Sequence, residues 1–245
     1  MVKAQVSGSY IEPPTRAFVV SLGRKGIRKA SRRYEGIRTA VVLLPVLIVV
    51  ERTQDPGRIV GPPGVQIQRR GRPGLIIEQA VSAFGHIDIL VANHARSSAQ
   101  NLEQLTAGEL DLSYAVNTRA TLLLVKEFAA QHKEERPGRI ILMTSGQHRG
   151  PMPAELPYVG SKGALHQLTT SLAAHLAPRN ITVNTIDPGA TDTGYADEQR
   201  QEVIALKPMG RWGEPDDAAR LIAWLTGGDS CWVTGQVIVS SGGRP

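Results

Sequence analysis

The chain has one cysteine, Cys231, in 245 residues. That excludes an intramolecular disulfide framework and fits a reducing cytoplasm. Aromatic residues make up 4% of the sequence, and no basic segment is interleaved with them. No histidine or cysteine spacing of the zinc-binding kind occurs, so a zinc module and an aromatic-stacking nucleic-acid reader are both disfavoured. The longest apolar run, Ala40 to Val50, is interrupted by Pro45. It is too short to span a bilayer, which takes ~20 residues, and reads as a buried strand. The opening residues lack the charged, apolar and small-residue regions of a secretion leader. The expectation is therefore a cytoplasmic protein with no membrane partner and no resident metal. Cys231, beside Trp232 near the last strand, reads as a buried, inert thiol.

The length suits one α/β domain with a substantial core. Charge is uneven. Residues 1–74 carry 14 Lys+Arg against 4 Asp+Glu, and residues 75–245 carry 14 against 18. A basic third can serve nucleic acid, but a phosphate-bearing cofactor and ordinary solubility explain it more simply.

Apolar runs alternate with helix-length periodic segments. Val19-Val20 and neighbours, Ala40–Val50, Ile87–Val91, Ile140–Met143, Ile181–Ile186 and Gln236–Val239 read as strands. Leu75–Phe84, Leu102–Ala130 with Thr106 as a cap, Tyr158–Ala177 and Asp216–Leu225 read as helices. Ile87–Val91 reads as a near-continuous apolar run of parallel-sheet type, and strands alternating with helices give βαβ units and a parallel sheet with helices on both faces, a doubly wound Rossmann-type fold. Residues 52–74 are dense in Gly, Pro and Arg, a composition that does not sustain helix.

The most telling stretch is Tyr158-Val-Gly-Ser161-Lys162, with Ser145 thirteen residues earlier. Tyr and Lys at i, i+4 share one helix face. A free tyrosine titrates near pH ~10 and is a poor base at neutral pH. A neighbouring ammonium favours the phenolate, so Tyr158 can exchange a proton with a substrate oxygen. Ser145 closes the apolar run from Arg139, and a serine at a strand's carboxyl end points into the ligand crevice of an open α/β sheet. Taken alone, Tyr-x-x-x-Lys is most often a solvated helix face.

Further segments fall in a fixed order around it. Asp88-Ile-Leu-Val-Ala-Asn93-His-Ala95, Ala-Val-Asn117-Thr-Arg-Ala, Thr144-Ser145-Gly146, Val183-Asn184-Thr-Ile-Asp187-Pro188-Gly189-Ala-Thr191-Asp-Thr193 and Val233-Thr-Gly235-Gln236 complete the set. From about Gly74 onward the chain resembles the short-chain dehydrogenase/reductase family, close to its 3-oxoacyl-carrier-protein reductase-like members. The resemblance implies a single domain over residues 1–245, with a degenerate dinucleotide-binding part over 1–74. It also implies hydride transfer between NAD(P)(H) and a small carbonyl or secondary alcohol. Ser145 would hold the substrate carbonyl and Tyr158 would protonate it. Lys162 would lower the Tyr158 pKa and bind the nicotinamide ribose, and Asn117 would hold a water linking Lys162 to solvent. Asn93, Ala95, Pro188, Gly189, Thr191 and Thr193 would line the cofactor. A homotetramer or dimer is implied. His94 stands where the family has Ala; His94 and His148 read as local hydrogen-bonding residues.

The first third departs from the pattern. The family's Thr-Gly-x-x-x-Gly-x-Gly is matched best by Ser21-Leu22-Gly23-Arg24-Lys25-Gly26-Ile27-Arg28, with Gly26 alone in place. Ser21, Gly23, Arg24, Gly26 and Ile27 are the candidate cofactor contacts there. Arg24 and Lys25 suit a 2′-phosphate, which favours NADP(H) over NAD(H). Glu51 and Arg52 are candidates for the ribose contact after the second strand. The rival reading is a catalytically inactive binding protein on the same scaffold, its cofactor loop lost. An out-of-frame translation upstream of about Gly74 would give the same Arg/Gly/Pro enrichment.

Overall fold

The computed structural model describes residues 17–18, 46–49, 73–192 and 208–243. Six strands form one parallel sheet: β1 (Ala17–Phe18), β2 (Val46–Val49), β3 (Ile89–Ala92), β4 (Gly138–Met143), β5 (Ile181–Asp187) and β6 (Val237–Val239). They lie in sequence order across the sheet. The short strand expected around Val19 is formed by Ala17–Phe18, at the sheet's edge. β2 lies between it and β3, in register Val46↔Ile89 to Val49↔Ala92. The apolar run beginning at Ala40 thus contributes its last part, downstream of Pro45. The loop Ser21–Arg28 lies outside the described residues.

Alternate residues of the central strands enter two separate cores. Leu90, Ala92, Ile140, Leu142, Ile181 and Val183 pack with Ile77 of α1 (Pro73–Phe84), Leu124 and Phe128 of α3 (Ala120–Gln131), and Ala173 and Leu176 of α4 (Leu156–Leu176). Ile89, Val91, Ile141, Met143 and Ile186 pack on the opposite face with Leu221, Ile222 and Leu225 of α5 (Pro215–Thr226). Helices on both faces follow from strands that are buried at every position. β3, β4 and β5 are buried throughout.

Two helix starts place site residues. Thr106 caps α2 (Ala107–Ser113), its side chain accepting from the Glu109 N–H. Pro157 sits in the first turn of α4, where a missing N–H costs nothing. Between α2 and α3 the chain winds as a π-helix, Tyr114–Arg119. The single broad segment Leu102–Ala130 is therefore three pieces.

Cys231 is exposed, contrary to the buried thiol expected. It caps the one-turn 3-10 helix Gly228–Ser230, several residues before β6, and Trp232 beside it is 95% exposed. Adjacency to the last strand in sequence does not carry the segment into the core. Among the described residues no helix is long and apolar enough to cross a membrane, and no group of three or more metal-ligating side chains occurs.

Candidate active site

Parallel strands bring their carboxyl ends to one edge, where β3, β4 and β5 run out side by side. Register pairs Ala92 with Leu142 and Met143 with Ile186. The chain emerging there supplies Asn93 and His94, Thr144 and Ser145, and Pro188 and Gly189. Ser145 is extended and half-buried, and opens the 3-10 turn Gly146–His148. His148 Nδ1 lies 3.0 Å from the Ser145 carbonyl, so the ring fixes the turn just after the serine.

α4 is tied to this edge. The Lys162 Nζ donates to the Met143 carbonyl at 2.9 Å, and Thr144 Oγ1 donates to the Lys162 carbonyl at 3.1 Å. Lys162 is 2% exposed, and burial alone lowers its pKa to about 8. Tyr158 is one turn earlier and half-buried. Its carbonyl accepts from Ser161 Oγ at 3.0 Å.

Asn117, fully buried, lies in the π-helix, a form that recurs at functional sites because it pushes one residue out of helical register. Its amide nitrogen donates to Ser161 Oγ at 2.8 Å and to the Arg96 carbonyl at 2.9 Å, while its oxygen accepts the Arg96 N–H at 2.7 Å. Thr118 Oγ1 donates to the Ser161 carbonyl and Thr121 Oγ1 to the Asn117 carbonyl. Asn117 therefore clamps the loop after β3 to the helix of Tyr158 and Lys162.

Other members of the site were not singled out from sequence. Arg96 forms a two-pronged ion pair with Glu109, at 2.9 and 2.8 Å, holding the post-β3 loop against α2. Arg149 grips the buried Asp187 through Nε and a terminal nitrogen, each 2.9 Å from Oδ2. Asp187 Oδ1 accepts the Gly189 N–H at 2.9 Å. The available signal was the acid itself: a carboxylate closing a buried strand requires a partner.

Asn93 is exposed at the sheet edge and Ala95 is half-buried. Gly189 has φ +63° and a Cβ there would fall 2.6 Å from the Ser241 Cβ, so this turn is restricted to glycine. Thr191 Oγ1 donates to the Pro188 carbonyl at 3.2 Å. Thr193 and the candidates Ser21, Gly23, Arg24, Gly26 and Ile27 lie outside the described residues.

His94 is 5% exposed, and burial first, the Lys162 charge second, lower its pKa to about 4. Between pH 6.5 and about 4 the unfolded chain binds a proton at this ring that the folded chain does not, so stability is full above pH 6.5 and is lost as pH falls toward 4. The loss is roughly 3 kcal/mol. Urea denaturation at pH 7 and pH 4 should show His94→Gln losing less stability than the parent by about that amount; equal losses would refute the burial of a neutral ring.

The chain matches the family model described as enoyl-(acyl carrier protein) reductase over residues 67–244. That start lies close to the boundary near Gly74 read from the sequence. The oxidoreductase YjdA of Bacillus subtilis is 46% identical over 171 residues, covering 69% of this chain and 68% of that one. The versicolorin reductase stcU of Emericella nidulans is 32% identical over 249 residues, covering 93% and 89%. Among solved structures, the angucycline C-6 ketoreductase LanV with bound NADP is 33% identical, covers 71% of each chain and superposes with a TM-score of 0.65.

Proposed function

The chain belongs to the short-chain dehydrogenase/reductase family of oxidoreductases, and from that membership we propose that it interconverts a small ketone and its secondary alcohol with NADP(H), using Tyr158 as the proton donor and acceptor. The observation that carries this reading is Lys162: a buried ammonium, anchored to the end of β4 two residues before Ser145 and one helical turn from Tyr158.

The described half of the cofactor site fits a nicotinamide riboside. It offers a glycine-restricted turn at Pro188–Gly189, Thr191 on that turn, and Asn93 exposed at the same edge. Lys162 has ammonium hydrogens beyond the one given to Met143, available to ribose hydroxyls. When bound, the dinucleotide supplies or accepts the hydride. Ser145 donates to the substrate carbonyl oxygen and orients it. Tyr158 gives its phenolic proton to that oxygen during reduction and takes it back during oxidation. Lys162 stabilises the phenolate left behind. Asn117 positions this pair through Ser161. The preference for NADP(H) over NAD(H) rests on Arg24 and Lys25 in sequence and on the NADP held by LanV. The exposed Trp232 and Trp224 support a second copy of the chain as partner, in a dimer or tetramer, and the single cysteine supports a reducing cytoplasm.

Titration with NADPH and NADH, followed by nucleotide fluorescence, tests the reading. Saturable binding is expected, tighter for NADPH. Failure of both to bind up to about 1 mM, the upper range of ordinary KM values, would overturn it and would favour the inactive scaffold.

A further inference from the structure

His94 is an anomaly within this site. Its Nε2 lies 3.0 Å from the Val116 carbonyl and 3.3 Å from Thr121 Oγ1. A carbonyl only accepts, and Thr121 already directs its hydroxyl hydrogen to the Asn117 carbonyl, so Nε2 must carry the ring's proton. Nδ1 is then a bare acceptor. It is buried and has no partner among the described residues. Buried acceptors are rarely left so, because desolvation without a hydrogen bond is costly.

The neighbouring group with hydrogens to give is Lys162. Among the described residues its Nζ makes one bond, to Met143, and it is as deeply buried as the ring. Register pairs Ala92 with Leu142, so the chain leaving β3 carries His94 past the end of β4, where the Met143 carbonyl holds the ammonium, and that charge opposes protonation of His94. Each is held separately, His94 through Val116 in the π-helix and Lys162 through Thr144 at the end of β4.

We propose that His94 is a positioning residue for Lys162, its Nδ1 joined to the ammonium through one bridging water. Buried waters commonly occupy such gaps between a donor and an otherwise unsatisfied acceptor. The neutral ring keeps the lysine charged despite its burial and holds it under Tyr158. The link rests on the catalytic reading of Lys162 for its use, but not for its existence.

The test reads the lysine directly in the cofactor-free protein. With 13Cε-labelled lysine, the Lys162 resonance is assigned by its loss in Lys162→Met and followed against pH. In the parent a midpoint near 8 is expected, since burial lowers the ammonium pKa to about 8. His94→Ala should lower the midpoint by about one pH unit, the scale of a hydrogen bond to a charged group. His94→Asn keeps an acceptor at the Nδ1 place and should restore most of the shift. His94→Gln keeps only a donor toward Val116 and should not. Thermal melting confirms folding, and if His94→Ala fails to fold, the Asn and Gln variants decide. An unchanged or raised midpoint in the folded variants, or rescue by Gln rather than Asn, overturns the proposal and makes His94 a tether for the π-helix. Because no turnover is measured, a chain that fails to bind nucleotide still gives a clear answer.

Discussion

Tyr158→Phe is expected to lower kcat for ketone reduction by about 10²–10⁴-fold, the range in which a positioned proton donor contributes, with the dissociation constant for NADPH nearly unchanged. The substitution removes one oxygen and keeps the ring in its half-buried place on α4. The Tyr158 backbone carbonyl still receives the Ser161 hydroxyl, and Asn117 still holds Ser161, so the clamp persists. A loss of this kind separates proton transfer from assembly of the site. Lys162→Met should differ in form. It removes the charge that favours the phenolate and the anchor to Met143 together, so both kcat and nucleotide affinity should fall. Single-turnover absorbance at 340 nm and nucleotide titration measure the two quantities. Turnover of Tyr158→Phe within tenfold of the parent would remove Tyr158 from its assigned role.

What could be read in advance follows the range of the interactions involved. β4 was legible because a strand buried on both faces tends to be apolar throughout, as Ile140–Met143 is, and β5 because the β-branched Ile181, Thr182, Val183, Thr185 and Ile186 dominate it. The i, i+4 placement of Tyr158 and Lys162 is likewise local. The π-helix around Asn117 was not legible: nothing in Tyr114–Arg119 differs from ordinary helix, and the extra residue per turn is set by contacts to Arg96 and Ser161, 21 and 44 positions away. The start of α1 was obscured differently. Pro and Gly density argued against helix before Leu75, yet the helix begins at Pro73, where proline's fixed φ suits a first turn. Gly74, next in line, faces Glu127 of α3. The ion pair of Arg149 and Asp187 joins residues 38 apart: the acid closing a buried strand calls for a partner, but nothing near Arg149 in sequence marks it as that partner.

That ion pair carries the largest stability prediction. Arg149→Met should destabilise the protein by about 3 kcal/mol, the low end for stripping the partner from a buried charge. The Asp187 carboxylate is wholly buried; its Oδ2 takes both guanidinium bonds and its Oδ1 the Gly189 N–H. Methionine fills much of the volume that Arg149 leaves but offers no hydrogen, so the charge remains where water cannot reach it. Asp187→Asn in the same background should recover most of the loss, since a neutral amide keeps an oxygen for Gly189 and no longer needs a cation. Arg149 also reaches Ser241, at 3.4 Å, on the segment that crowds the Gly189 turn. The single variant should therefore loosen Pro188–Thr191 as well, which urea unfolding cannot see but hydrogen exchange at Gly189 and Thr191 can. A double-mutant cycle gives the coupling between the two side chains. If Arg149→Met costs less than about 1 kcal/mol, the value of an exposed pair, or if the double variant is no more stable than the single one, the carboxylate is held by the fold rather than by the arginine. The end of β5 would then be rigid without its ion pair.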